Sequence, residues 1–227
     1  MSPTIQSDVE SEVTTHRFFF LFVFLLAALI VYPYAEASRV AYYSLRFLGS
    51  AVILLSVYAA SFRRGLLVVA LALAVPAFYL RVVAPKTSAT SLSITSIVLS
   101  FVFDVLIVVV IFRRVFSRQQ ANSETIFGAL CIYLLVGFSF ASVYGMLASI
   151  QPNAFYLDPL VNLHRVPDRF DFVYYSLGTM TSLGAAGIVP VSDQARSFTV
   201  LEALLGVLYL AVLIARLMGA YRSPPKH

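Results

Sequence analysis

Residues 171–190, DFVYYSLGTMTSLGAAGIVP, decide the fold predicted for this chain. The stretch is too polar and too short to cross a bilayer, yet it lies between two apolar segments that are long enough to do so. Its first part, residues 170–181, predicts a short amphipathic helix, and small residues dominate 182–187. Irregular backbone at membrane depth is tolerated where protein buries it or where it lines a watery cavity. The pattern therefore predicts a re-entrant pore loop.

The composition indicates a membrane protein. Of 227 residues, 60% are hydrophobic and only 12% are charged, which is far from the average of soluble domains. The net charge of +5 does not indicate nucleic-acid binding, because the basic residues lie beside apolar segments and are better explained as topology signals. The single cysteine, Cys131, allows no intrachain disulfide and is predicted to be an inert packing group.

No pattern of an enzyme is present in the sequence. It contains no phosphate-binding loop, no Ser-His-Asp arrangement and no dinucleotide glycine pattern. His164 has no Cys, His or carboxylate at metal-ligand spacing, so no metal and no cofactor are predicted. Permeant monovalent ions are the ligands to be expected of a pore.

Hydropathy predicts six membrane-spanning helices, each of 17 to 25 residues. They are residues 18–34, 40–62, 66–83, 92–112, 126–150 and 199–218. Residues 35–37, Ala-Glu-Ala, would also suit a signal-peptidase site after the first of them. The acidic leader and the length of the apolar run favour a retained helix.

Arginines set the predicted orientation in the membrane. Five of them lie in the loops after the second and fourth spans: Arg63, Arg64, Arg113, Arg114 and Arg118. Because cytoplasmic loops are rich in Arg and Lys, both termini are predicted to be cytoplasmic, and the pore loop enters from outside. The predicted domains are a tail of residues 1–17, a peripheral four-helix domain of 18–118 and a pore domain of 119–227.

At the re-entrant loop the chain resembles the pore domain of tetrameric potassium channels. The motifs that carry the resemblance are Tyr174-Tyr175-Ser176-Leu177, Thr179-Met180-Thr181, Ile188-Val189-Pro190 and the terminal segment LEALLGVLYLAVLIARLMGAY. The resemblance covers residues 126–221 and implies four chains, because one chain supplies one pore loop. It implies an all-α membrane protein with six transmembrane helices and a re-entrant pore helix and filter loop between the fifth and sixth.

The resemblance breaks at the selectivity filter. Where the family has Thr-Val-Gly-Tyr-Gly-Asp, this chain has Ser182, Leu183, Gly184, Ala185, Ala186 and Gly187, which follow Thr181. Gly184 stands at the position of the first filter glycine of the family, and Ala186 stands at that of the second. The family backbone has a positive φ angle there, which costs an L-residue about 1–2 kcal/mol. Ala185 cannot make the hydrogen bond of the family tyrosine, and Gly187 removes a carboxylate from the outer mouth. The narrow potassium array is therefore predicted to be lost.

Residues beyond the loop are predicted to support or gate the pore. Glu202 lies within reach of the back of the pore helix and is interpreted as a support for the filter. Gly206 stands where the family has its bending glycine, with close helix packing as the alternative. The predicted gate and hinge therefore comprise Gly206, Tyr209 and Leu213.

The four peripheral helices lack the arginine array of a voltage sensor. Residues 92–112 contain no Arg or Lys, so steep opening by voltage is not expected. Asp104 is an intramembrane charge that costs about 2.5–3.5 kcal/mol at a helix centre. It is either a coupling site or a carboxyl group bonded to a neighbouring hydroxyl. Arg46 is explained by snorkelling to the outer surface.

The sequence thus predicts a homotetrameric ion channel of the potassium-channel fold in a bilayer, of the kind found in a bacterial inner membrane. Weakly selective cation permeation through the altered filter is the favoured function. The alternatives are a non-conducting structural or regulatory channel homologue and a pore for anions or protons.

Overall fold

A computed structural model of the chain describes residues 17–34, 90–117, 123–162, 167–184 and 187–221, together with the isolated positions 68, 72, 75 and 76. The predicted spans of residues 40–62 and 66–83 lie outside the described residues, apart from these isolated positions. So do Arg46, Ala185 and Ala186, and the predictions made for them.

The described residues form five α-helices and two short strands. In chain order they are α1 (Arg17–Val31), α2 (Thr90–Ser117), α3 (Ser123–Ile150), β1 (Phe155–Leu157), α4 (Arg169–Met180), β2 (Ile188–Pro190) and α5 (Asp193–Tyr221). A 3-10 turn at Tyr32–Tyr34 follows α1, so that helix and turn together cover the first predicted span. α2 contains the whole of the fourth.

Among the described residues, α3 and α5 have the length and apolar composition needed to cross a membrane. They contain the predicted fifth and sixth spans and begin a few residues earlier than the hydropathy indicates. α1 is a shorter apolar helix. The order of a long helix, a short helix α4 and a second long helix is that expected of a re-entrant loop between two spans.

The two strands are a difference from the predicted all-α fold. β1 and β2 pair antiparallel, with Tyr156 opposite Val189. Backbone bonds join Asp158 to Gly187 and Val191 to Ala154 at the two ends of this ladder. Hydrogen-bonded pairs alternate along antiparallel strands, so Pro190, which lacks an N–H group, occupies a position where none is needed.

The chain divides into two compact units, and the first comprises residues 1–71, 107–132 and 219–227. Within it, Gly128 lets helices approach closely, since a Cβ atom there would lie 2.7 Å from the Val115 side chain and 3.2 Å from Phe18. The Arg114 guanidinium lies 5.3 Å from the centre of the Phe18 ring and 3.9 Å from the Glu124 carboxylate. This cluster ties the start of α1 to residues of α2 and α3.

The second unit comprises residues 72–106 and 133–218 and contains the predicted pore loop. Four aromatic rings form its centre, with centroids 5.1 to 5.5 Å apart: Tyr144, Phe155, Phe172 and Tyr175. They come from α3, β1 and α4. Edge-to-face packing of this kind stabilises beyond simple burial, so the ring cluster fixes α4 against α3 and the strand.

Candidate functional site

Helix α4 begins at a capping box. Asp168 precedes the helix, and its carboxylate accepts a hydrogen bond from the Asp171 N–H at 2.8 Å. The Asp171 carboxylate accepts one from the Asp168 N–H at 2.8 Å. Both carboxylates lie at the positive end of the helix dipole. Asp168 is therefore the N-cap of α4.

The other end of α4 is closed by hydrogen bonds. Normally the last four carbonyl groups of a helix lack partners within it. Here each accepts from a group of the same chain: Leu177 from Thr181, Gly178 from Gly184 and Thr181, Thr179 from Ser182, and Met180 from Tyr133. The Gly184 N–H lies 3.1 Å from the Gly178 oxygen, so the chain turns back on the helix directly after it ends.

Left-handed backbone occurs on both sides of the undescribed alanine pair. Gly184 has φ +79° and Gly187 has φ +88°, both in the region that favours glycine. Ser182 has φ +58°, a conformation that costs an L-residue about 1–2 kcal/mol. The sequence anticipates the need for glycine at position 184 but gives no sign of strain at Ser182.

The loop is exposed where it leaves the helix. Thr181, Ser182, Leu183 and Gly184 are all exposed, and Leu183 is 78% accessible. An apolar side chain so exposed, between two helices that are suited to a membrane, lacks cover from its own chain. Lipid, water in a pore or another copy of the chain must surround it.

Glu202 is completely buried behind α4. Its carboxyl group contacts the Tyr144 hydroxyl of α3 at 2.5 Å and the Ser176 hydroxyl of α4. Ser176 also lies 2.6 Å from the Gly137 carbonyl oxygen. These contacts join three helices through one side chain of α5, at the place where the sequence predicts a support for the filter.

The hydrogens in this cluster can be counted. The Ser176 hydroxyl carries one hydrogen but faces two oxygens, those of Gly137 and Glu202. The Gly137 carbonyl has no hydrogen to give. A carboxyl group that carries its own hydrogen satisfies both contacts and still accepts from Tyr144, whereas a carboxylate leaves one of them without a hydrogen.

A second pair of hydroxyls joins α4 to α5. The Thr199 hydroxyl donates to the Ala195 carbonyl at 2.8 Å, which uses its one hydrogen. The Tyr175 hydroxyl, 2.7 Å from Thr199, is therefore the donor in their contact. Burial raises the pKa of the Tyr175 phenol, so the group remains neutral and keeps the hydrogen that it donates.

The predicted hinge glycine lies against backbone. A Cβ atom at Gly206 would come within 2.6 Å of the Met180 carbonyl oxygen. Tyr209 stacks at a tilt on Tyr133, with ring centroids 5.9 Å apart, and Leu213 is buried within its own chain. The structure thus gives Gly206 a packing role at the end of α4, and the gate assigned to these three residues stays a prediction.

The return from the loop is held by the segment between α3 and α4, which we call the turret (residues 151–168). Its strand β1 pairs with β2, and Asn162 and Asp158 reach Gly187. The sequence predicts no strand in this segment. The strand has only three residues, Phe155, Tyr156 and Leu157, and an alternation of apolar and polar residues cannot be recognised over so short a segment.

The sequence also predicts two intramembrane charges, Asp104 and Arg46. Asp104 lies in α2 and is buried, 9% exposed. Arg46 falls outside the described residues. In the part of the chain that the structure describes, no group of three His, Cys, Asp or Glu side chains is placed to hold a metal ion.

Comparison with known proteins matches the same region. A family described as ion channel matches residues 129–223, which include most of α3 and all of α4 and α5. Voltage-gated potassium channel Kch of Escherichia coli (strain K12) is 31% identical over 121 residues, or 53% of this chain and 26% of that protein. The chain therefore spans about a quarter of that relative's length. No solved structure matches the chain.

Proposed function

Because residues 129–223 belong to the potassium-channel superfamily of ion channels, we propose that four copies of the chain form one weakly selective cation pore. Residues 181–187 of each copy line its constriction. The observation that carries this proposal is the exposed turn Thr181–Gly184, which stands at the end of a helix anchored from behind by Glu202.

The surface of α5 supports assembly with other copies. Large apolar side chains are exposed on many sides of this helix, among them Phe198, Leu201, Leu204, Leu205 and Leu208. Lipid covers such a surface in a membrane protein, and so does a neighbouring subunit. A helix that is apolar on all sides can contact lipid on one side and a neighbouring subunit on another. A pore-lining helix in a tetramer makes both of these contacts.

The altered loop supports weak selectivity. A potassium filter replaces the hydration shell of the ion with backbone carbonyls. In this chain the turn after α4 bends back toward the helix, where the Gly184 N–H donates to the Gly178 carbonyl. Gly187 supplies no carboxylate to the outer mouth of the pore. A wider and hydrated opening follows, which discriminates poorly between monovalent cations.

A non-conducting channel homologue is the second candidate. The closed end of α4, with all four of its last carbonyl groups bonded within the chain, favours it. Each of these carbonyl groups already accepts a hydrogen bond within the chain, which lowers its attraction for an ion near residues 181–187. A pore for anions or protons is the third outcome that the loss of outer carboxylates allows.

We also propose that both termini face the cytoplasm and that the protein lies in a bacterial inner membrane. The arginines that flank the predicted spans support this orientation. Opening depends weakly on voltage, because the predicted fourth span within α2 carries Asp104 and no basic residue.

Recordings from purified protein in planar bilayers under opposed salt gradients test these functions. We expect a reversal potential displaced toward that of the cation, with similar values for K⁺ and Na⁺. Displacement toward the anion supports the third outcome. Absence of current, with protein shown to be inserted, supports a non-conducting homologue.

A labelling experiment tests whether the loop lines the pathway. Leu183→Cys should react with a charged thiol reagent and lose most of its current, because the side chain is 78% exposed at the proposed constriction. Leu160→Cys, at a 93% exposed position of the turret, is the matched control and should keep its current. Native Cys131 is buried and should not react. Equal block of both variants would exclude the proposed path.

A further inference from the structure

The carbonyl group of Gly187, at the outer end of the pore loop, accepts two hydrogen bonds from the turret. The Asp158 N–H donates to it at 2.8 Å, and the Asn162 side-chain nitrogen donates to it at 2.8 Å. The first bond belongs to the strand ladder, whereas the second comes from a side chain outside it. Asn162 therefore adds a contact that the pairing of β1 and β2 does not require.

The orientation of the Asn162 amide follows from chemistry. Its nitrogen contacts two carbonyl oxygens, that of Gly187 and, at 2.9 Å, that of Asp158. Both partners accept only, so the NH₂ group must face them, and its two hydrogens are both used. The Asn162 N–H also donates to the Asp158 oxygen at 3.0 Å. The side chain is thus fixed by the turn that presents it.

Position 187 has no room for a side chain. A Cβ atom on Gly187 would lie 2.8 Å from the Asn162 side-chain nitrogen and 3.2 Å from the Val161 Cβ. By contrast, nothing lies within 4 Å of a Cβ atom on Gly184, the other described glycine of the loop. Asn162 thus occupies the space that a side chain at 187 would take.

We propose that Asn162 is a positioning residue for the permeation path: it holds the Gly187 carbonyl and thereby sets the outer end of the pore loop. This inference rests on the proposed function, because it assigns Asn162 a role in ion selection. Asn162 also fills the space beside Gly187, so a side chain at position 187 would displace it.

Hydrogen exchange and ion selectivity of the full-length protein in lipid nanodiscs and bilayers test the proposal. Asn162→Ala should accelerate exchange of the amides in residues 155–158 and 187–191 by about five- to tenfold, since one hydrogen bond is lost and the ladder opens more often. It should also change the K⁺/Na⁺ permeability ratio. Asn162→Gln, which keeps the NH₂ group, should recover part of both effects.

Leu160→Ala is the matched control, because Leu160 lies in the same turn and contributes only its backbone N–H to the Asp158 carboxylate. It should leave both readouts unchanged. If the exchange rates of Asn162→Ala equal those of this control, Asn162 does not hold the Gly187 carbonyl. If the exchange rates change but the K⁺/Na⁺ permeability ratio does not, Asn162 does not position the permeation path. If the wild-type protein carries no current, the proposed function fails, and the role of Asn162 in ion selection fails with it. The hydrogen-exchange rates then decide whether Asn162 holds the Gly187 carbonyl.

Discussion

The two ends of the proposed pore loop, called inner and outer according to the proposed orientation, are held in different ways. At the inner end, helix α4 is held by the flanking long helices: the part-buried Tyr133 bonds Met180, whereas the buried Gly206 packs on Met180 and the buried Glu202 bonds Ser176. At the outer end, Gly187 is held by the turret, through β1 and the part-buried Asn162. The end of α4 and Gly187 are thus both held by groups that lie outside residues 181–187.

The anchors differ in their expected energies. Buried contacts cannot be replaced by water when they are lost, so each costs the full desolvation of the groups left behind. Partly exposed contacts in the turret exchange with water at lower cost. Substitutions at the inner end should therefore affect stability most, whereas those at the outer end should affect the loop locally.

The largest effect is expected at Glu202. Glu202→Ala removes the partner of the Tyr144 hydroxyl, leaves Ser176 with the Gly137 carbonyl alone and opens a cavity, so we expect it to lower the free energy of unfolding by about 3 kcal/mol or more. Glu202→Gln is the matched control. Its NH₂ group donates to Ser176 and its oxygen accepts from Tyr144, as a carboxyl group with its own hydrogen does.

Detergent titration of the purified protein, followed by circular dichroism, measures both variants. We expect the glutamine variant to unfold within about 1 kcal/mol of the wild type, in line with the modest net contribution of one neutral hydrogen bond. A glutamine variant as unstable as the alanine variant would show that the cluster requires a charged carboxylate. The inner anchor would then rest on charge.

Gly206 tests the inner anchor through its packing. Gly206→Ala places a methyl group 2.6 Å from the Met180 oxygen, and backbone cannot easily yield, so we expect a loss of about 1–3 kcal/mol. Gly219→Ala in the same helix is the control, because nothing lies within 4 Å of the added atom. It should be neutral or stabilising by up to about 1 kcal/mol, from helix propensity. Equal thermal stability of the two variants would contradict the close packing at Met180.

Gly187 tests the outer anchor, and the effect on global stability should be smaller. Gly187→Ala meets both the left-handed backbone and the Asn162 side chain, whereas Gly184→Ala meets the backbone conformation alone. We expect a cost of about 1–2 kcal/mol for the conformation in each variant and a further local loosening for Gly187→Ala. Proteolysis or hydrogen exchange of residues 187–191 measures it. Identical local exchange in both variants would remove the distinction between the two glycines.

Much of the inner end could be predicted from sequence. The apolar spans, the polar break between them and the Asp168 cap are local patterns, and the structure has α3, α4 and α5 where they predict helices. Glu202 is assigned to the back of α4 through the resemblance, because it lies four residues before the glycine that aligns with the family's bending glycine. Its actual partners, Tyr144 and Ser176, come from distant parts of the chain and no local pattern names them.

The outer end could not be predicted in this way. Strands of three residues carry too little alternation to be recognised, and the pairing of residue 157 with residue 188 depends on how the turret folds over α4. The contact between Asn162 and Gly187 joins residues 25 positions apart through one amide. Likewise, the packing of Gly206 on a carbonyl oxygen is invisible in the sequence, where a bending glycine and a packing glycine look alike.

The most direct test of the account is a density map of the full-length protein in lipid nanodiscs. We predict four chains around one axis, with residues 181–187 of each chain facing that axis and α5 lining the path below. A map of single chains, or of loops that point into lipid, would contradict it.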